Sequence, residues 1–352
     1  MDELTRTNLA RSTPLTPSAE GPKPHDHAST QAIEEDWSRV RALALKQLDR
    51  FMSFEPEVLK GDDPDAIHDM RVASRRLQQV LDLIYSKPQP KAIRQLRKQI
   101  RRCRGSLGGV RNCDVLLDRV DRVLSRKRAA HREAWKAVHD YLAGYRSKTF
   151  AKALRKLSKV NLAVFYVHLK DCLAHSAPEA FPNPLTHGDP SPEAPVIEPF
   201  PERVGEALEK VWTAFQDQLA ESQHDPRPAV FHGARIATKR LRYLLEVVHE
   251  FDVAGSAEPL VWLRKLQRHL GDWHDLEVLE QMMIEMVARP DFLRQHLPLA
   301  LEVERLILRN RAVKKGYEEK YFRLTRDTPE MQRVKDWVDY LLASPSAAFA
   351  RA

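Results

Sequence analysis

One basic pattern occurs twice in this chain, and the repetition constrains its fold more than any other feature. Residues 67–84 read IHDMRVASRRLQQVLDLI and residues 231–248 read FHGARIATKRLRYLLEVV. His68, Arg71, Ala73, Arg76 and Leu77 recur as His232, Arg235, Ala237, Arg240 and Leu241, with Val72/Ile236, Ser74/Thr238 and Arg75/Lys239 as similar pairs. A repeated apolar pattern alone would indicate only a duplicated fold. Here the cationic positions are repeated too, which points to a pseudo-symmetric site for something long or multiply negative.

The repeat extends further along the chain. Leu107, Gly108, Asp114, Val115 and Leu116 correspond to Leu270, Gly271, Glu277, Val278 and Leu279. Each half therefore reads helix, basic-motif helix, basic helix, Leu-Gly turn, helix, long helix. Only 12 of 352 residues are glycine, and no strand-type alternation persists. The expected fold is all-α: two pseudo-symmetric antiparallel bundles of four-helix type, in tandem around a basic cavity.

Apolar residues at three- and four-residue steps (Trp37, Val40, Ala44, Leu48, Phe51) predict a helix from about Gln31 to Leu59. Asp65 is the expected N-cap of the motif helix, which runs to about Tyr85. Further helices are expected over 91–106, over 111–127, and on to His175 with a break near Gly144. Residues 1–30 hold Pro14, Pro17, Pro22 and Pro24 and no apolar run, so a disordered tail is expected rather than a secretory signal. Residues 175–201 carry eight prolines and read as a connector between a first half, 31–174, and a second, 202–345. In the second half, helices are expected over 202–222, the motif, 260–269, 273–287, 297–322 and 329–343.

On a helical wheel, Ile67, Met70, Ala73, Leu77, Val80, Leu81 and Ile84 form one stripe. His68, Arg71 and Arg75 share the opposite side, with Arg76 at its margin, and His232, Arg235, Lys239 and Arg242 match them. The plain alternative is a solvated surface face. Solvated faces usually mix charge signs, however, whereas this one is nearly all positive, and like charges at these spacings repel. The next helix adds Arg94, Arg97, Arg101 and Arg104 opposite an apolar face of Leu96, Ile100, Cys103 and Leu107. The second half offers only Arg264, Lys265 and Arg268 there. Arg111 and His274 sit at matching positions after the Leu-Gly turns. Arginine suits phosphate because its planar fork donates two parallel hydrogen bonds.

The formal net charge of +8 favours acidic partners. Three cysteines without C-x-x-C spacing make a disulfide framework or zinc site unexpected, and a reducing compartment fits. No apolar run reaches the roughly 20 residues of a membrane span. No recognised metal or nucleotide motif occurs, so no catalytic residue, metal or cofactor is expected. Asp114 and Glu277 read as partners for neighbouring arginines. Nucleic acid is the rival polyanion, but Tyr243 alone among aromatics falls on a cationic side, which is thin support for base stacking. A polyphosphate-processing phosphohydrolase is a further alternative.

IHDMRVASRRL, FHGARIATKRLR and the Leu-Gly turns followed by VRNCDV and WHDLEV together resemble the CHAD family, the conserved histidine α-helical domain, over about 31–345. The resemblance implies two helical bundles around a basic cavity or channel that binds inorganic polyphosphate. It implies a cytoplasmic protein at polyphosphate granules, without catalysis of its own. His68, Arg71, Arg75 and Arg76, and His232, Arg235, Lys239, Arg240 and Arg242, match the family motif. The chain departs from the pattern at Gln78, which stands opposite Arg242, and at Asn112 and His274 after the Leu-Gly turns. No triphosphate-tunnel (CYTH) domain is recognised in it. Affinity for polyphosphate is expected to fall steeply with salt, by analogy with nucleic acid.

Overall fold

The computed structural model describes residues 24–85, 89–128, 130–175, 198–326 and 328–350. Most of the expected tail, residues 1–23, and most of the connector, residues 176–197, lie outside the described residues. In the first half the helices are α1 (Pro24–Ser53), α2 (Glu55–Lys60), α3 (Pro64–Ile84), α4 (Lys91–Ser106), α5 (Gly108–Leu124), α6 (Arg132–Leu157) and α7 (Leu162–His175). In the second they are α8 (Phe200–His224), α9 (Pro228–His249), α10 (Ala257–Val287), α11 (Pro290–Gln295), α12 (Leu297–Thr325), α13 (Pro329–Ala343) and α14 (Pro345–Phe349). The described residues contain no strand, so the all-α expectation holds.

Several boundaries differ from the sequence reading. α1 begins at Pro24, inside the stretch assigned to the tail. Asp63, not Asp65, caps α3: its side chain accepts from the Asp65 amide at 2.8 Å, and Pro64 occupies the first turn, where no amide is needed. α6 passes through Gly144 without a break. The Leu-Gly turns almost disappear. α4 and α5 are separated by Leu107 alone, whose backbone stays in the helical region, and α10 runs unbroken through Gly271. A single glycine costs a helix only about 1 kcal/mol relative to alanine. Burial of Leu107 and Leu270 in the core outweighs that cost.

The apolar stripes read from the sequence become the core. Trp37, Val40, Ala44, Leu48 and Phe51 of α1 are buried, as are all seven apolar residues of the α3 stripe. The halves do not keep separate cores. The larger apolar cluster runs from α1, α3, α4 and α7 into α8, α9 and α10. The smaller joins Leu116 and Val120 of α5 and Val138 and Leu142 of α6 to Met282, Met283 and Met286 of α10 and Leu306 of α12. Within the second half Phe231 stacks on Trp273 with centroids 4.8 Å apart, and Tyr321 lies 4.8 Å from Phe231 on another side. These contacts set the rotation of α9, and so the direction in which His232, Arg235 and Lys239 point.

Asp114 has the partner expected of it: it is buried and accepts from Arg146 Nε at 2.5 Å. Glu277 instead pairs with a lysine, Lys314, which also reaches Glu280 at 2.9 Å.

Candidate functional site

α3 and α9 pack against each other, and their cationic sides meet. The reason is local: each helix buries one apolar stripe, so its charged residues can face only the remaining arc. Arg71 and Arg75 of α3, Arg104 of α4, and Arg235 and Lys239 of α9 come close enough to perturb one another electrostatically. Among the described residues none of these five has a carboxylate within ion-pairing distance. They are half-buried, so water screens them incompletely.

The proton affinities register this crowding. Burial, then Arg235, Arg75 and Arg71, pull the Lys239 ammonium from its ordinary 10.5 down to about 6. Burial, then Arg75, Arg104 and Arg111, bring Arg71 to about 10. Burial with Arg75 does the same to Arg104, while Arg235 is lowered chiefly by burial. The acid of the cluster among the described residues is Asp275 on α10, whose carboxyl is pushed up by burial even though Arg235 pulls it down. Asp275 was not among the sequence candidates, although the alignment of the halves sets it opposite Asn112.

Histidines line the margin. His232 and His274 lie with ring centroids 5.3 Å apart. Burial and then Arg235 hold His274 down at about 3, and burial with Arg235 and Lys239 lowers His232. His68 is lowered by burial and by Arg111. All three are therefore poor proton acceptors. Arg111 donates to the Pro64 carbonyl at 3.4 Å and lies near enough to His68 and Arg71 to lower the proton affinity of each.

Backbone and neutral groups hold the arginines in place. Arg71 donates through Nη1 to the Arg104 carbonyl, tying α3 to the end of α4. A Cβ on Gly108 would lie 3.4 Å from Arg71 Nη1, in ordinary van der Waals contact, so that guanidinium lies directly against the start of α5. Arg104 donates to Gln78 Oε1 at 2.7 Å, and Arg242 donates to Gln267 Oε1 at 2.6 Å. Gln78 aligns with Arg242, and Arg104 aligns with Gln267. Each half therefore keeps one arginine–glutamine pair with the partners exchanged between helices. The charge apparently missing at Gln78 is supplied by Arg104.

Other sequence candidates lie apart from the unpaired cluster. Glu246 accepts from Arg76 Nε across the halves at 3.1 Å and also pairs with Arg242, so one carboxylate is shared between two guanidiniums. Arg97 is buried and paired with Asp82. Arg101 is exposed, near enough to Arg104 to be felt by it. Arg94, Arg240 and Arg264 are exposed and make no ion pair among the described residues. Lys265 and Arg268 face a different cleft, between α10 and α12. Tyr243, the one aromatic on a cationic side, is buried, with the Arg242 guanidinium 4.4 Å over its ring. Its ring is thus unavailable to stack on a base.

No described helix is long and apolar enough to cross a membrane. A sequence comparison with curated proteins returned no match. Among solved structures, the crystal structure of the CHAD domain from the plant Ricinus communis superposes with a TM-score of 0.56 at 22% identity, covering 88% of this chain and 91% of that one. That likeness establishes the fold. The CHAD domain model matches residues 42–283, more than half of the chain and both copies of the basic motif, and the protein therefore belongs to the CHAD family.

Proposed function

We propose that the protein is a non-catalytic module that binds inorganic polyphosphate, in the cytoplasm and at polyphosphate granules. One observation carries this reading: Arg71, Arg75 and Arg104 from the first half converge with Arg235 and Lys239 from the second, without ion-pair partners among the described residues. Bringing these groups together costs desolvation and mutual repulsion, as the lowered proton affinities register. A polyanion relieves both costs. A linear chain of phosphates offers closely spaced oxygens on all sides and no bases to read, which suits arginine forks converging from two helices. Family membership supports the same ligand class. Single-stranded nucleic acid fits less well, because Tyr243 is buried.

Titration calorimetry at physiological salt tests the reading, with long-chain polyphosphate, tripolyphosphate and duplex DNA in parallel. Long polyphosphate is expected to bind at least ~10-fold more tightly than either competitor, a difference of about 1.4 kcal/mol. The quadruple variant R71A/R75A/R235A/K239A is expected to lose binding while keeping its helicity by circular dichroism. Unchanged affinity in that folded variant, or tighter binding of DNA, refutes the proposal.

A further inference from the structure

A second basic cleft lies between α10 and α12, with a cavity of about 460 Å³. That volume falls within the roughly 300–1,000 Å³ of small-molecule sites. Lys265, Arg268 and Asp272 line it from α10, at three- and four-residue spacing along one face. Gln267 and His274, which face the central cluster, lie more than about 100° away around the same helix. The two sites share α10 as a wall, and Asp275 of the central cluster feels the charge of Asp272 in the cleft.

Three properties of the cleft point to its ligand. First, Lys265 and Arg268 of α10 and Lys320 of α12 are exposed and have no carboxylate partner among the described residues. Asp272 is the only acid in the lining, so the cleft carries an excess of positive charge. Second, Tyr317 offers an aromatic surface that is fixed in place. Its ring lies 5.0 Å from that of buried His269 at 31°, and His269 Nε2–H donates to the Tyr317 carbonyl at 2.7 Å. Burial lowers the His269 proton affinity, which keeps the ring neutral and that tautomer in place. Val313 and Leu324 add apolar wall. Third, a methyl group at Gly316 would meet nothing within 4 Å, so the glycine leaves space open on the α12 side. Cations, a planar ring surface and one carboxylate able to accept from hydroxyl groups are complementary to a phosphate ester bearing a sugar and a heteroaromatic ring.

We propose that the cleft between α10 and α12 is a second anion site, distinct from the central cluster, that takes a nucleoside phosphate. The phosphates meet Lys265, Arg268 and Lys320, the ring lies against Tyr317, and Asp272 accepts from the sugar hydroxyls.

The test is calorimetric titration of the full chain with ADP at physiological salt, with adenosine and pyrophosphate as the two halves of the ligand. ADP is expected to bind saturably, and adenosine and pyrophosphate at least ~10-fold more weakly. R268E/K320E reverses two of the three cations and G316L fills the space; each is expected to weaken ADP at least ~10-fold with unchanged helicity. Both leave long-polyphosphate binding unchanged. R75A/K239A, in the central cluster, leaves ADP binding within about twofold of the parent. The proposal is overturned by no saturable ADP binding at millimolar ligand, by pyrophosphate binding as tightly as ADP, or by ADP binding that survives both cleft variants. It is likewise overturned if R75A/K239A abolishes ADP binding, which would place the nucleotide in the central cluster.

Discussion

On the proposed function, Lys239 should make polyphosphate binding a proton-uptake reaction. In the free protein its ammonium is held near 6 by burial and by Arg235, Arg75 and Arg71, with Asp275 the one nearby acid and His232 and His274 the neighbouring imidazoles. A bound polyanion favours the charged amine and returns it toward its ordinary 10.5. Between these limits the free protein is mostly neutral at Lys239 and the complex is charged, so binding takes up a proton and affinity falls as pH rises. With a free value of about 6, roughly a quarter of the protein carries the charge at pH 6.5 and roughly 0.3% at pH 8.5. The binding constant should therefore drop by up to ~100-fold over those two units, about 2.7 kcal/mol. His68, His232 and His274 are held below their ordinary range and add to the slope only toward the acid end. Calorimetry in buffers of different ionisation enthalpy should register close to one proton taken up per site at pH 7.5, with long polymers used so that terminal phosphates contribute little. Lys239→Arg keeps its charge across the window and should flatten the profile. The same depression opposes folding of the free protein: between about 6 and 10.5 the unfolded chain binds more protons, so stability rises with pH in that window. An affinity that changes less than twofold between pH 6.5 and 8.5, with no proton uptake, would refute the reasoning.

Three further outcomes are expected. Glu246→Gln removes the carboxylate shared by Arg76 and Arg242, and should lower stability by about 2 kcal/mol in urea unfolding while tightening polyphosphate binding through the two released cations. Arg104→Gln alone should weaken binding several-fold, and Gln78→Arg added to it should restore affinity, because the exchanged pair then matches that of the second half; a double variant no better than the single one would contradict the exchange. Phe231→Ala opens a cavity against Trp273 and Tyr321 and should cost about 4 kcal/mol, seen as an earlier thermal midpoint.

Much of the architecture is legible in the chain because helical periodicity is a local property. The apolar stripes of α1, α3 and α4 and the limits of α4 and α13 follow from three- and four-residue spacing and from prolines. The two Leu-Gly pairs misled for a related reason. Glycine marks a turn only when nothing else stabilises the helix, and here Leu107 and Leu270 anchor it from the core.

What the sequence determined by itself is a duplicated all-α chain with cationic helix faces too uniform to be ordinary surface. It could not say which of those cations remain unpaired, because a partner close in space is often far along the chain. Arg76 and Arg242 share Glu246, Arg97 meets Asp82, and Lys265 and Arg268 turn toward α12. The packing of α3 against α9 decided that Arg71, Arg75, Arg104, Arg235 and Lys239 gather in one half-buried place with no carboxylate within ion-pairing distance among the described residues. Electrostatic energy depends on separation and solvent exposure, and both are fixed only when the helices pack.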